Sequence, residues 1–277
     1  MYLWRKLAEP RWLSANENVL QARSQGRLVV ISKPGRKRVQ LEISCRSRSC
    51  ARKLTEEFGG RTEKWPRDWL KQFAALEDSK PLRIGKRLLI SNARRTFASQ
   101  LSRRKGPLHI LIPASAAFGT GRHTTTAMSL RFLECLTRGW ENGWSLADLG
   151  TGTGILALAA KRFGAGHVTG IDIDPRAISI AKANARQNRI KNVNFLLADL
   201  RRWKPNGPRD IIAANLYSSL FLEVLPKLKR CTWLILSGVL RTQQNEFLRL
   251  LRQNNIDIVR MKRRGKWIAV LANCRND

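Results

Sequence analysis

One stretch limits what this chain can fold into more than any other: Leu146-Ala-Asp-Leu-Gly-Thr-Gly-Thr-Gly-Ile-Leu156, followed by Gly170-Ile-Asp-Ile-Asp-Pro175. The first run opens as a buried strand, breaks into a glycine-rich turn and continues as a helix. The second is the next strand, ending in acid. Gly150, Gly152 and Gly154 let the backbone turn sharply and approach a ligand where a Cβ would clash. Asp172 lies about 20 residues on, where nucleotide-binding folds place the acid that holds ribose hydroxyls. The combination points to a nucleoside cofactor.

The spacing narrows the cofactor. The dinucleotide fingerprint G-x-G-x-x-G seats a pyrophosphate on a helix N-terminus. This chain instead has Asp148-x-Gly150-x-Gly152-x-Gly154, with an acid in front. A carboxylate beside the loop repels a pyrophosphate and suits an ammonium group. A ribose, no phosphates and a cationic amino-acid tail describe S-adenosylmethionine. A glycine turn alone is also an ordinary way to pass from strand to helix; Asp148 and Asp172 together carry the cofactor reading.

The 277 residues suffice for one large domain or two smaller ones, and a hydrophobic content of 43% is that of a globular protein. No apolar run approaches the ~18 residues of a membrane span. The N-terminus, Met-Tyr-Leu-Trp-Arg-Lys, lacks a signal-peptide pattern, so a cytoplasmic protein without membrane contact is expected. Cysteines 45, 50, 135, 231 and 274 are odd in number and scattered, the pattern of free thiols rather than of a zinc site. The net charge of +32 attracts polyanions and is compatible with contact to ribosomal RNA. An arginine-rich composition with solvated side chains explains the same number, and composition does not choose between the two.

The chain divides near residue 105 into a small basic α+β domain over 1–65, a connecting helix and linker over 66–105, and a larger domain over 106–277. From Glu9 to about Arg61 the pattern is strand, helix, hairpin, helix, strand. Trp12–Gln25 is helix-prone, Arg27–Ser32 and Arg38–Ser44 alternate as strands, and Lys33-Pro-Gly-Arg36 is turn chemistry between them. Ser49–Phe58 is a helix stopped by Gly59-Gly60, and Arg61–Trp65 is a strand. Trp69–Leu76 reads as a connecting helix, Pro81–Ile90 as an extended link and Arg94–Lys105 as a basic stretch with little pattern.

From Leu108 strands and helices alternate, the rhythm of a parallel sheet covered by helices. Strands are expected at Leu146–Leu149, Val168–Asp172, Asn194–Leu197, Asp210–Ala214 and Trp233–Ser237. Helices are expected at Thr125–Leu136, Ile155–Phe163, Pro175–Asn188, Ser218–Leu228 and Thr242–Gln253, with Ile256–Val259 and Trp267–Ala272 as a closing antiparallel pair. Asp174-Pro175 is a helix start, which leaves Asp172 for ribose. Gly150, Asp172, Asp199 and Asn215 fall at the carboxyl ends of strands, where such sheets bind ligands.

Two further segments flank the site. Ala117-Phe-Gly-Thr-Gly-Arg-His-Thr-Thr-Thr126 is a glycine-rich loop running into a helix N-terminus, where orphan amides also point; a plain capped helix explains it as well. Ala214-Asn-Leu-Tyr217 sets an Asn and an aromatic at a strand end, an arrangement that can accept from an amine nucleophile and shield a methyl group; a strand end with a chance Asn is the bland alternative.

Together Phe118-Gly-Thr-Gly-x-His-x-Thr-Thr126, Asp148-Leu-Gly-Thr-Gly-Thr-Gly154, Gly170-Ile-Asp-Ile-Asp-Pro175, Ala214-Asn-Leu-Tyr217 and Leu236-Ser-Gly-Val-Leu240 resemble the PrmA methyltransferases, which modify ribosomal protein L-eleven at the base of the large-subunit stalk. The resemblance covers about residues 81–272. It implies a Rossmann-like, seven-stranded class I methyltransferase domain preceded by a small α+β, ferredoxin-like domain that docks the ribosomal protein. It implies S-adenosylmethionine as cofactor and the lysine side-chain or N-terminal amines of that protein as acceptors. By the same carry-over, Thr126 and Asn215 orient the amine and the methionine end of the cofactor. His123, with Phe118, Gly119, Thr120 and Gly121, shapes the loop over the cofactor. Asp148, Gly150, Gly152 and Gly154 lie against its tail and ribose, Asp172 and Ile173 hold the ribose side, and Asp199 sits near the adenine.

The reaction implied is in-line displacement by a neutral amine, in which the protein positions and desolvates. Neither paired carboxylates nor a catalytic triad is visible, which leaves water to take the proton. A monomer is the expected state. Two alternatives remain: an RNA (rRNA) methyltransferase, which the charge favours but the absence of a Pro-Pro-aromatic pattern after Asn215 does not, and a non-catalytic ribosome-assembly factor on the same fold.

Overall fold

The computed structural model describes residues 2–24, 28–31, 38–45, 47–64, 80–92, 106–113, 119, 121–205, 207–228 and 231–274. The chain forms two compact units, Met1–Gln72 and Phe73–Asp277. The turn at Lys33–Arg36, the connecting helix at Trp69–Leu76 and the basic stretch at Arg94–Lys105 lie outside the described residues.

In the first unit the order is β1 (Tyr2–Ala8), α1 (Pro10–Ser24), β2 (Leu28–Ile31), β3 (Val39–Cys45), α2 (Arg48–Phe58) and β4 (Arg61–Lys64). The strands make one antiparallel sheet in the order β2-β3-β1-β4. The first strand precedes Glu9, where the sequence pattern starts the domain. Pro10 explains the boundary: its fixed φ suits a first helical turn and ends the strand. Ser47 caps α2 by accepting from the Cys50 amide at 3.1 Å. Ala51, Leu54 and Phe58, at helical spacing, then bury one face against Trp4, Leu41 and Ile43. Each such large apolar side chain contributes about 1.5–3 kcal/mol. Elsewhere on the sheet Arg5 of β1 bridges Glu42 of β3 (2.8 Å) and Glu63 (2.9 Å) of β4.

The second unit contains β5 (Leu82–Ile84), β6 (Leu88–Ser91), β7 (Leu108–Leu111), α3 (Thr124–Leu136), β8 (Ser145–Leu149), α4 (Ile155–Arg162), β9 (His167–Asp172), α5 (Pro175–Gln187), β10 (Val193–Leu197), β11 (Arg209–Asn215), α6 (Ser218–Val224), β12 (Cys231–Leu240), α7 (Gln244–Gln253), β13 (Ile256–Arg264) and β14 (Trp267–Cys274). Seven strands form one sheet in the order β10-β9-β8-β11-β12-β14-β13. β10 to β12 are parallel neighbours, and β14 and β13 close the sheet antiparallel. One face packs on α3, α4 and α5 through Phe132, Leu158 and Ile178; the other packs on α6 and α7 through Phe221 and Leu251. Such burial on both faces is why β8 and β11 read as nearly continuous apolar runs.

The pattern of Pro81–Ile90 reads as an extended link, but the structure makes it a hairpin. β5 and β6 pair antiparallel, and β6 pairs parallel with β7 in a separate three-stranded sheet. Ile84, Leu88 and Ile90 are fully buried in the same core as α3, so residues 82–91 belong to the second unit rather than to a linker. Gly85 makes the turn at φ +55°, and a Cβ there would strike the Glu134 carboxylate. Arg87 fastens the hairpin to the end of α3, donating to the Glu134 carbonyl at 2.9 Å and to Thr137 Oγ1 at 2.7 Å.

Candidate active site

Leu149 sits beside Ala214 and Ile171 in the sheet, Asp172 beside Leu197 and Asn215 beside Ser237, so four strand ends emerge at one level. β8 ends in the glycine turn. Gly150, Gly152 and Gly154 have φ of +70°, +54° and +81°, a region that favours glycine. A Cβ on Gly154 would come within 3.0 Å of the Ala181 Cβ on α5, so helix packing as well as backbone angle demands glycine there.

Two carboxylates hold this turn. Asp172 accepts from the Gly152 amide at 2.9 Å through one oxygen and from the Asp174 amide at 3.0 Å through the other. Asp174 in turn caps α5, accepting from the Arg176 amide at 2.9 Å. Asp172 is therefore already engaged in tying the two strand ends together. Asp148 is buried; one of its oxygens accepts from Thr151 Oγ1 at 2.6 Å and from the Ala157 amide at 3.3 Å. Burial pushes its carboxyl up to about 7, against the lowering effect of the Thr151 and Ala157 bonds, and the nearby Asp172 charge adds to the rise. The sequence reading sets Asp148 directly beside an ammonium group. In the fold its bonded oxygen braces the glycine turn and the start of α4 from below.

Ile173, next to Asp172, is 63% exposed, and Leu197, across from Asp172 on β10, is 58% exposed. Large aliphatic side chains left open beside a carboxylate suit a ligand with one apolar ring and one hydroxylated ring. Leu197 is absent from the sequence-derived site; its signal was an apolar residue at the end of the strand neighbouring β9. Asp199 follows β10 and accepts from the Arg201 amide at 2.9 Å, capping its own turn.

The second loop closes on the first through side chains. Thr153 Oγ1 donates to the Gly119 carbonyl at 2.5 Å, and Asn184 of α5 donates to the Thr153 carbonyl at 2.9 Å. Gly119 and Gly121 have φ of +103° and +83°; Phe118 and Thr120 lie outside the described residues. His123 is the N-cap residue of α3, with Nδ1 2.7 Å from Thr125 Oγ1. Burial, then the charge of Lys266, lowers its pKa, so the imidazole is neutral at pH 7 and does not repel a cationic ligand. Trp267 of β14 stands edge-on to that imidazole, with ring centroids 5.4 Å apart. Nothing in the sequence joined Trp267 to His123, because antiparallel β14 returns it to the site from far along the chain.

Thr126, buried in the first turn of α3, accepts from Asn215 Nδ2 at 3.3 Å. With Nδ2 so directed, Oδ1 of Asn215 is the atom left to accept from an entering N–H. The turn after Asn215 depends on Gly238. The Leu216 amide donates to the Ser237 carbonyl at 2.9 Å, and a Cβ on Gly238 (φ +94°) would strike the Leu216 carbonyl. Tyr217, exposed and hydrogen-bonded to Arg201, starts α6.

The strand order, with a glycine turn after the first strand of the switch point and a carboxylate ending the next, defines a class I, Rossmann-like methyltransferase domain. A family profile described as "Ribosomal protein L11 methyltransferase (PrmA)" matches residues 40–275, and the chain belongs to that family. Its cofactor is S-adenosylmethionine, which the glycine turn, the Asp172 carboxylate and the open faces of Ile173 and Leu197 fit.

The chain is 32% identical over 213 residues to the ribosomal protein L11 methyltransferase of Caldanaerobacter subterraneus subsp. tengcongensis, a match covering 76% of this chain and 64% of that one. The enzyme of Symbiobacterium thermophilum is 34% identical over 214 residues, covering 76% of this chain and 66% of that one. The match thus spans somewhat under two thirds of these relatives' lengths. A crystal structure of ribosomal protein L11 methylase from Lactobacillus delbrueckii subsp. bulgaricus superposes with a TM-score of 0.63 at 26% identity, covering 72% of this chain and all of that one. Among the described residues no helix is long and apolar enough to cross a membrane.

Proposed function

We propose that this chain transfers methyl groups from S-adenosylmethionine to amine nitrogens, lysine side-chain or N-terminal, of ribosomal protein L11, acting as a cytoplasmic monomer. The observation that carries the reading is the Thr126–Asn215 hydrogen bond, which sets an amide oxygen at the end of β11 beside the glycine turn. When bound, S-adenosylmethionine supplies an electrophilic sulfonium methyl. Asn215 Oδ1 accepts from the incoming amine and aims its lone pair, while Thr126 keeps the amide from rotating. Asp172, already bonded to the Gly152 amide, presents its remaining acceptor capacity to ribose hydroxyls. Ile173 and Leu197 cover the flat base with Asp199 at its rim, and Gly150, Gly152 and Gly154 admit the tail. Asp148 lies beneath the ammonium, whose positive charge would favour the ionised form of its raised carboxyl. His123, packed on Trp267, presents a neutral ring at the N-terminus of α3. These residues position and desolvate; the proton of the amine leaves to water.

We assign residues 1–65, within the first unit, as a ferredoxin-like docking domain for the ribosomal protein. Its element order and β2-β3-β1-β4 sheet support the assignment. The test is transfer of a labelled methyl into dissociated ribosomes and free ribosomal proteins, with each product split by protease and by ribonuclease. Label that survives ribonuclease and maps to amines of L11 is expected. Label lost to ribonuclease would make the chain an RNA methyltransferase instead.

A further inference from the structure

We propose that the β13 edge of the seven-stranded sheet, together with Arg131 of α3, is a docking surface for the phosphate backbone of RNA. β13 is the last strand of the sheet. Ile258 and Met261 lie opposite Ala272 and Val270 and pack with them on the face toward α7. A bulge between Ile258 and Arg260 resets the register, and Arg260, Lys262 and Arg264 then fall opposite Leu271, Ala269 and Trp267, on the face toward α3. Three cations therefore stand in one row, every second residue, at roughly 6–7 Å intervals along a strand.

α3 adds a fourth. Lys262 Nζ lies 5.3 Å from the centroid of the Phe132 ring, next to Arg131, whose Nε is buried without a hydrogen-bond partner. Burial first, and then the charges of Arg260 and Arg131, hold the Lys262 ammonium below its usual range. Elsewhere Arg5, Arg138, Arg176 and Arg201 each have a carboxylate. Among the described residues none of Arg131, Arg260, Lys262 and Arg264 is ion-paired. The acid on the strand, Asp257, is at the far end of the row and has an interaction of its own.

Charge guards edge strands against pairing with other chains. That duty does not require cations to crowd on one face against a helix that contributes another. A partner with regularly repeated anions relieves the repulsion at every position and gains the entropy of released counterions. RNA provides that regularity. An acidic peptide carries its charges irregularly and relies on apolar anchors, of which this strand exposes Val259. The net charge of +32 adds long-range attraction for the same partner.

The test uses the full chain and fluorescently labelled single-stranded and hairpin RNA of arbitrary sequence, with anisotropy read across a salt series. The variant Arg260→Gln/Lys262→Gln/Arg264→Gln is compared with Lys182→Gln/Arg186→Gln/Lys191→Gln, which removes equal charge elsewhere on the unit. Both are first checked for an unchanged far-ultraviolet spectrum and melting temperature. The edge variant should bind about tenfold or more weakly at physiological salt, with the salt slope flattened by about 2, roughly 0.7 per lost phosphate contact. The control variant should lose less than threefold, by the same reasoning that its charges make no defined contact. Methyl transfer to isolated L11 should be equal in edge variant and parent, so failure here is separable from failure of the methyltransferase reading. Equal losses in the two variants, or no salt-dependent RNA binding, would overturn the proposal. Tighter binding of polyglutamate than of RNA of equal charge would also overturn it, in favour of an acidic protein partner.

Discussion

The two halves of the site are made of different material. At the ends of β8 and β9 the working surface is backbone: glycines at positive φ, with an amide held by Asp172. At the end of β11 it is side chain: Asn215 locked by Thr126, behind a turn that Gly238 allows. A backbone surface tolerates change poorly but is indifferent to what reacts. A side-chain surface chooses the acceptor and is sensitive to small displacements. Binding and turnover should therefore separate by mutation.

The largest effect is expected at Gly238→Ala. A positive φ together with a clash against the Leu216 carbonyl should cost about 3 kcal/mol or more in stability. Folded protein that remains should lose turnover more than cofactor affinity, because the clash falls on the residue that follows Asn215. Denaturant midpoints and cofactor titration check both parts; parent-like turnover would mean the two halves are not built as described.

Asn215→Ala comes next. Loss of the preorganised group proposed to contact the nucleophile should lower kcat about 100-fold while cofactor affinity stays within about threefold. Equal loss of turnover and affinity would contradict a role in orienting the acceptor. Asp172→Asn should do the reverse. It replaces the charged acceptor proposed for the ribose hydroxyls by a neutral amide, for about 1.5–3 kcal/mol, or roughly 10- to 100-fold in cofactor Kd. With saturating cofactor, kcat should be close to that of the parent.

The remaining effect is a pH slope. The folded state holds a proton on Asp148 up to about pH 7, whereas the unfolded chain releases it near the ordinary value of 3.8. The folded state binds more protons within that window, so this group makes stability fall as pH rises from about 4 to 7, with no further change above. Asp148→Asn should flatten urea midpoints between pH 5 and 8 relative to the parent. Identical slopes would remove Asp148 from the account.

Legibility followed the same division. The glycine turn, Asp172 and the N-cap at Asp174 are local, each set by residues within a few positions, and the chain spells them out. The strand–helix alternation of the larger unit is equally local in origin, and its elements differ from the sequence pattern mainly at their ends, most at β13, which continues past Val259 through the basic residues to Arg264. The hairpin at 82–91 escaped because its strands are three and four residues long and are stabilised by burial under α3 rather than by their own pattern. Leu197, Gly238 and Trp267 escaped for a related reason. Each matters through a neighbour supplied by another strand: Asp172, Leu216 and His123 respectively.

By itself the sequence determined the class of cofactor and the alternation that builds a parallel sheet, because glycine conformations, caps and hydrophobic periodicity act over one or two turns of chain. Tertiary structure alone decided that Asp148 is a buried brace with a raised pKa and that Asn215 has its amide fixed by Thr126. It alone decided that the cations of β13 share one face after the bulge. Burial, register and desolvation depend on which distant segments become neighbours, and those are fixed only when the sheet closes.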